Sequence, residues 1–137
     1  MRVSTKGRYA LRLMLDLTEH NNGDYVSLKD IAKRQDISLK YLEQIVSLLC
    51  KVGYLKSVRG AQGGYMLARK PEEYTVGEIL RVTEGELVPT SCLINDVNDC
   101  PRREKCLTLD FWNGLYEVIN NYVDKYTLSD LWNSTSK

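Results

Sequence analysis

Three of the four cysteines in this 137-residue chain lie close together in one polar segment. Cys92 is followed after seven intervening residues by Cys100, and Cys100 is followed after five by Cys106. Unpaired cysteine prefers buried positions in regular structure, so three of them in a polar segment indicate a function. Thiolates carried by one loop can converge on a metal centre, and the bound metal then orders the loop.

The spacing of these cysteines bears on the kind of centre that they could form. It is wider than the Cys-x-x-Cys pairs of zinc fingers and ribbons, which argues against structural zinc, whereas iron–sulfur centres accept wider spacings. Structural zinc and a metal-free thiol sensor stay open as alternatives. Cys50 lies in an apolar helical pattern instead and is expected in the core. His20, the only histidine, is expected to contact the carbonyl groups that end the first helix.

The first half of the chain contains three amphipathic helical patterns. The first covers residues 5–17, the second begins after Ser27, and the third begins after Ser38. Serine favours helix N-caps, and Gly53 occupies the usual place of a glycine that ends the third helix. A tight turn at residues 36–37 joins the second and third helices, which is the helix-turn-helix pattern of DNA-binding proteins.

A β-hairpin is predicted directly after the third helix. Residues 55–59 and 65–68 have the pattern of two short strands, and the glycine-rich tip between them carries Gln62, with Arg59 at its edge. A hairpin in this place is the wing of a winged helix. The predicted fold class is therefore mainly α, a winged helix-turn-helix with a β-hairpin wing.

The second half of the chain is predicted to contain a capped helix, a long loop and a long helix. Thr75 and Glu78 form a capping box that opens the capped helix. Residues 84–105 lose apolar periodicity, and a loop of this length requires a function or a ligand that orders it. The sequence thus divides into a DNA-binding domain (1–83), a cysteine loop (84–106) and a segment with the long helix and a final short one (107–137).

The long helix is predicted to form a homodimer. Its apolar residues recur at helical spacing and are more than a small winged helix can easily cover. A second copy of the same helix is the expected partner, in a two-fold arrangement. Packing of the helix back onto its own domain is the alternative. The apolar positions are Leu107, Phe111, Leu115, Val118 and Tyr122.

Charge and composition narrow the function class. Residues 1–60 hold eleven basic and six acidic residues, a net charge of +5, and residues 61–137 hold eight and twelve, a net charge of −4. A basic first half favours DNA as partner. Without a signal-peptide-like run or 18 consecutive apolar residues, we expect a cytoplasmic chain without membrane contact and with reduced thiols. No catalytic triad, phosphate loop or convergent carboxylate pair is evident, so we expect no enzyme activity.

Side chains at the start of the third helix and in the wing are the candidate DNA contacts. Gln44 can bond adenine bidentately, and Glu43 can accept from cytosine or repel phosphate. Arg59 suits a narrow minor groove. Tyr41 either faces the groove or packs beneath the wing. The candidate set is Ser38, Lys40, Tyr41, Glu43, Gln44, Arg59 and Gln62.

Three motifs resemble the Rrf-type family of winged-helix transcriptional regulators. They are MRVSTKGRYAL at residues 1–11, SLKYLEQ at 38–44 and VRGAQGGY at 58–65, and the similarity continues through TLSDL at 127–131. The resemblance covers nearly the whole chain. It implies a dimer whose third helix enters the major groove of a double-stranded DNA operator and whose wing reaches the minor groove.

The cysteine loop resembles that of the IscR-like and NsrR-like members, whereas CymR-like members lack three loop cysteines. This resemblance implies a [2Fe–2S] cluster, or alternatively a [4Fe–4S] cluster, held by Cys92, Cys100 and Cys106. The chain departs from the pattern in its first cysteine interval, which is seven residues rather than five. It also has Leu109 where IscR-like members have a histidine ligand, and Arg8 where NsrR-like members have an aspartate ligand from the partner.

The fourth cluster ligand is therefore unassigned by the sequence. Local oxygen candidates are Asp96, Asp99, Glu104 and Asp110, and a group from the other subunit is equally open. An oxygen ligand would leave one iron open to a signal. The resemblance implies a regulator, expected to be a repressor, that senses cluster status, redox state or nitric oxide and controls iron–sulfur biogenesis or stress genes. The alternative is a cysteine-metabolism or thiol-redox regulator without a cluster, since an iron–sulfur carrier would leave the helix-turn-helix unexplained.

Overall fold

The computed structural model describes residues 1–94 and 98–135 of the chain. Within these residues, six α-helices surround one two-stranded antiparallel sheet, which confirms the mainly α winged-helix fold class. The elements are α1 (Thr5–Glu19), α2 (Leu28–Gln35), α3 (Leu39–Lys51), β1 (Leu55–Val58), β2 (Gly64–Leu67), α4 (Val76–Glu84), α5 (Leu109–Lys125) and α6 (Leu128–Thr135). Short 3₁₀ turns occur at Pro71–Glu73, Ser91–Leu93 and Arg103–Lys105.

Hydroxyl side chains begin five of the six helices, and the sequence predicts this for Ser27, Ser38 and Thr75; at α6 the cap is Thr127, whose hydroxyl accepts from the N–H of Asp130 at 3.0 Å. The hydroxyl oxygens of Ser27 and Ser38 accept from backbone N–H groups three residues further on, at 3.2 and 3.1 Å. Ser4 caps α1 in the same way. Thr75 forms the predicted capping box with Glu78 at the start of α4, since each side chain bonds the other's backbone N–H at 3.0 Å. These local bonds satisfy donors that the first turn of a helix leaves free.

The core lies where α1, α2 and α3 meet the hairpin and α4. The inward positions of each helix recur every three to four residues, so that one stripe of each is buried. The largest fully buried side chains of the cluster include Leu13, Met14, Leu17, Ile31, Leu42, Ile45, Leu49, Tyr74, Ile79 and Leu128. Leu128 comes from α6, so the last helix completes the core of the first domain.

A buried tyrosine fixes the base of the wing. β1 and β2 pair in a register that places Leu55 opposite Leu67, both buried. The hydroxyl of Tyr74 donates to the carbonyl of Tyr54 at 2.7 Å and accepts from the backbone N–H groups of Ala68 and Arg69. A fully buried tyrosine needs such partners because an unpaired hydroxyl is costly. The hairpin therefore leaves the core at a fixed position.

The long helix is shifted relative to the prediction. α5 begins at Leu109 rather than at Leu107, and it extends to Lys125. Its C-terminal end is tied to the start of α4, because the N–H of Val76 donates to the carbonyl of Tyr126 at 2.8 Å. Among the described residues, no helix is long and apolar enough to cross a membrane.

Candidate nucleic-acid interface and cysteine loop

The third helix presents a polar surface outwards, as a recognition helix requires. Its buried side is formed by Leu42, Ile45, Val46 and Leu49. The helical period therefore turns the side chains between them to solvent. Four of the candidate DNA contacts on this helix and at its N-cap are exposed, namely Ser38, Lys40, Glu43 and Gln44. Ser38 is the N-cap residue, so its hydroxyl already accepts the N–H of Tyr41.

Tyr41 packs against the first helix. Its half-buried ring meets the ring of Tyr9 from α1 edge to face, with 5.5 Å between centroids. The guanidinium of Arg12 lies 5.2 Å from the centroid of Tyr9 and donates to the carbonyl of Gln35 at the end of α2. Edge-to-face pairs and cations over rings are both attractive. Tyr41 thus braces the start of α3 against α1.

The wing is held close to the body of the domain by glycine. Tyr65 forms two backbone hydrogen bonds with Val26, each 2.8 Å long. A Cβ at Gly64 would lie 2.2 Å from the carbonyl oxygen of Val26, so any side chain there would push the strand away. Arg59 and Gln62 are exposed at the tip, as predicted. Their roles in DNA contact stay predictions.

Cys50 lies at the base of the cleft between α3 and the wing. This cleft has a volume of about 530 Å³, and Glu43 and Arg59 also line it. Cys50 is half-buried rather than fully buried as expected, because it ends the apolar stripe of α3 where the hairpin begins. Burial raises the pKa of its thiol, and a hydrogen bond with Ser57 opposes that effect in part. Cys50 is therefore a neutral thiol apart from the cysteine loop.

The three loop cysteines are all half-buried, and two of them line the same pocket. Cys92 belongs to the 3₁₀ turn Ser91–Leu93, and its sulfur lies 2.8 Å from the hydroxyl of Thr90. Cys100 and Cys106 line one pocket of about 410 Å³, which Cys92 does not line. The structure therefore brings two of the three thiols to one pocket.

The pocket around Cys106 favours a thiolate. The hydroxyl of Thr108 lies 3.4 Å from the sulfur. This hydrogen bond, with smaller contributions from the backbone N–H groups of Thr108 and Leu109 and the charge of Arg102, lowers the pKa of Cys106. Lys105 also lines the pocket. Thiolate is the form that binds metals, so the surroundings of Cys106 suit a ligand.

The thiols suit an iron–sulfur centre by type, but they are not assembled as one. Within residues 1–94 and 98–135, no three His, Cys, Asp or Glu side chains are grouped so as to hold a metal ion. Asp99, Glu104 and Asp110 are exposed, and none of them completes such a group. Asp96 lies outside the described residues. His20 accordingly contacts the carbonyl of Asp16, with its Nδ1 at 2.8 Å, as predicted.

The Rrf2 family model, described as an iron-dependent transcriptional regulator, matches residues 3–134. The chain belongs to the Rrf2 family. The transcriptional regulator IscR of Serratia proteamaculans is 40% identical over 134 residues, which cover 98% of this chain and 80% of that protein. The Rrf2 family relatives are regulators and not enzymes, so the predictions of family and of no enzyme activity are confirmed.

Two solved structures of this family show the same fold. CymR, the global cysteine regulator of B. subtilis, superposes with a TM-score of 0.80 at 36% identity and covers 98% of each chain. T. potens IscR superposes with a TM-score of 0.77 at 42% identity, over 98% of this chain and 88% of that one. The fold of this Rrf2 protein is therefore similar to that of both an IscR and a CymR.

The sequence did not predict several side-chain hydrogen bonds between distant parts of the Rrf2 chain. Glu84, the last residue of α4, accepts from the backbone N–H and the hydroxyl of Ser4 at the start of α1. Arg81 of α4 reaches α5, where it bonds Asp124 and Asn120. These pairs are separated by 39 to 80 residues. No local sequence pattern identifies such pairs, because each of these residues is of a type that is common on exposed helix faces.

Proposed function

We propose that this Rrf2 protein is a homodimeric DNA-binding regulator, expected to be a repressor, that senses its signal through an iron–sulfur cluster on Cys92, Cys100 and Cys106. The observation that carries the DNA-binding part is the exposed polar face of α3 beside a glycine-tipped wing. The signals proposed are cluster status, redox state or nitric oxide, and the targets are iron–sulfur biogenesis or stress genes.

The DNA contacts divide between two grooves. Lys40, Glu43 and Gln44 are exposed on one side of α3, whose opposite side is buried, so they can reach base edges and phosphates when the helix enters a major groove. Arg59 and Gln62 extend from the wing, where a guanidinium can enter a narrow minor groove. The brace between Tyr9 and Tyr41 supports this arrangement by holding the start of α3 in place.

The homodimer is supported by the outer face of α5. Phe111, Val118 and Tyr122 are 65%, 64% and 62% exposed, although all three carry large apolar groups. Apolar side chains at positions 111, 118 and 122 share one side of a helix. Single exposed apolar residues are ordinary, but a continuous stripe of them indicates a partner. A second copy of α5 is the occupant that makes this surface self-complementary.

The cluster is supported by the chemistry of the loop. Three thiols, one of them with a lowered pKa beside basic residues, suit anionic iron–sulfur centres. When bound, such a cluster supplies a redox-active and ligand-exchangeable iron site. Cys100 and Cys106 already line one pocket, so holding a cluster requires Cys92 to approach them. We propose a [2Fe–2S] cluster, with [4Fe–4S] as the alternative. The fourth ligand comes from Asp96, Asp99, Glu104, Asp110 or the partner subunit.

Anaerobic reconstitution with iron and sulfide tests the cluster. The wild type is expected to gain stoichiometric iron and sulfide and a visible chromophore. Cys92→Ala, Cys100→Ala and Cys106→Ala are each expected to lose it, and Cys50→Ala serves as the matched control that keeps it. Full iron, sulfide and colour in Cys92→Ala, or their loss in Cys50→Ala, would refute the ligand assignment.

A thiol-redox regulator without a cluster is the second candidate. It is favoured by the shared pocket of Cys100 and Cys106 and by the likeness to CymR, described as a cysteine regulator. In this case a peroxide would oxidise the two thiols to a disulfide, and the peroxide would be reduced to water and an alcohol or to two waters. A colourless protein that consumes one peroxide per chain and loses two titratable thiols would select this candidate.

A further inference from the structure

A small network of hydrogen bonds joins the winged helix, the cysteine loop and the long helix α5. Arg81 of α4 donates from Nη1 and Nη2 to the two carboxylate oxygens of Asp124 on α5, both at 2.8 Å. The same Nη2 donates to the amide oxygen of Asn120 at 2.6 Å. The amide nitrogen of Asn120 donates in turn to the carbonyl oxygen of Leu87, at 3.2 Å. Leu87 is buried near the start of the cysteine loop.

The partners of Asn120 determine which way its amide points. Arg81 has donors only, so it faces the amide oxygen, and the carbonyls of Leu87 and Tyr116 accept only, so they face the nitrogen. Asn120 thus bonds α4 with one end and the loop with the other.

The ion pair lies close against the backbone of α4. A Cβ at Gly77 of α4 would lie 2.0 Å from the carboxylate Oδ1 of Asp124 and 2.8 Å from Nη1 of Arg81. The absence of a side chain at this position is therefore what admits the ion pair. The pair is two-pronged, which fixes angle as well as distance. The ion pair thus constrains the orientation of α5 relative to α4.

The loop both begins and ends against the same helix. Its start is held through Leu87 by Asn120 and through Glu86, whose carboxylate accepts from the hydroxyl of Tyr116 at 3.3 Å. Its end, at Cys106, lies three residues before α5 begins at Leu109. A change in the loop can therefore act on α5 at both ends of the loop, and Arg81 is a side chain that ties α5 to α4.

We propose that Arg81, Asn120 and Asp124 form a joint that transmits the state of the cysteine loop to the angle between α5 and the winged helix. This inference rests on the proposed function, in which α5 forms the dimer and the loop carries the sensor. In the dimer the angle sets the separation of the two recognition helices. The three residues are positioning residues, since none of them lies on α3 or the wing.

The variant Asn120→Asp distinguishes the contact of residue 120 with Arg81 from its contact with the loop. The new carboxylate still accepts from Arg81, but it has no N–H to donate to Leu87. Asn121→Asp is the matched control, since Asn121 is an exposed neighbour and the charge change is the same. Arg81→Lys is the second variant, because an ammonium keeps the charge but lacks the planar fork that bonds two partners at once.

The first measurement is hydrogen–deuterium exchange on the metal-free full chain. Asn120→Asp is expected to speed amide exchange at residues 86–94 and in the first turns of α5, with α1 to α3 unchanged. Asn121→Asp should exchange as the wild type does. Wild-type exchange at residues 86–94 in Asn120→Asp would overturn the joint whatever the loop binds.

The second measurement is the ratio of affinities for one selected operator duplex between iron–sulfide-reconstituted and metal-free protein. Couplings of this kind are typically about 5- to 150-fold in proteins. In Asn120→Asp and Arg81→Lys, this affinity ratio is expected to be at least about fivefold closer to one than in the wild type. Both variants should melt at the same temperature as the control Asn121→Asp. An unchanged ratio in both variants overturns the proposal. A ratio of one in the wild type instead contradicts the proposed sensing function, and the exchange measurement then decides the joint alone.

Discussion

Asp16 near the end of α1 accepts two hydrogen bonds from the guanidinium of Arg34 in α2, at 2.7 and 3.1 Å. The Asp16 side chain is fully buried, and it also accepts from the amide of Gln35 at 2.9 Å. A buried carboxylate is tolerated only when it is paired and hydrogen-bonded in this way. The pair therefore fixes how α2, the first helix of the helix-turn-helix, sits on α1.

Asp16→Asn is expected to destabilise the domain by about 2 kcal/mol, because the amide offers Arg34 and Gln35 no charge and only one acceptor. The estimate lies below that for a fully buried pair, since the Arg34 side chain is 35% exposed. Urea denaturation followed by circular dichroism measures the effect. Asp24→Asn, at an exposed loop position, is the control and should change stability little. Equal loss in both variants would show that the Arg34 contact contributes nothing specific.

The contact between Arg81 and Asp124 predicts a pH dependence. The hydrogen bond from Arg81 lowers the pKa of Asp124, against some desolvation. A carboxylate whose pKa is lower in the folded chain stabilises the fold above its unfolded pKa, about 4, and this stabilisation disappears as the pH falls through the folded value. Asp124 is 43% exposed, so the effect at neutral pH is at most about 1 kcal/mol.

The stability difference between the wild type and Asp124→Asn should therefore be largest near neutral pH and should shrink below about pH 4. Urea titrations at several pH values measure it. Asp24→Asn again serves for comparison. A difference for Asp124→Asn that stayed constant down to about pH 2 would mean that the charge of Asp124 does not act on folding.

Much of the fold followed from local signals in the sequence. The caps at Ser27, Ser38 and Thr75 depend on bonds to residues three positions away, so their motifs identify them directly. The hairpin followed from two short strands around glycines. Boundaries were less exact at α5, because Leu107 continues the apolar spacing of the helix but lies outside it, 99% exposed.

The candidate site was predictable in composition but not in geometry. Residue types alone mark Cys92, Cys100 and Cys106, yet which of them share a pocket depends on the path of the loop and not on their spacing. The contact of Tyr41 with Tyr9 could not be predicted, because it depends on how α1 packs against α3.

Dimerisation through α5 is tested by a charge in its outer face. Val118 is exposed in the single chain, so Val118→Glu should leave the fold of each subunit intact while placing an unpaired charge in the apolar interface. Sedimentation at micromolar concentration is expected to show a monomer. Asn113→Glu, on an exposed polar position of the same helix, should remain a dimer. A dimer in both variants would exclude this face as the interface.

The proposal that α3 and the wing read DNA is tested most directly by selection from a random double-stranded DNA library with the full chain. The expected result is enrichment of a two-fold symmetric site whose half-sites lie about one helical turn, or a multiple of it, apart. On that site and at fixed salt, Arg59→Ala should lose about 1–3 kcal/mol of binding free energy while Lys125→Ala, on α5, binds as the wild type does. No enriched sequence, or equal affinity of Arg59→Ala and the wild type, would contradict the account.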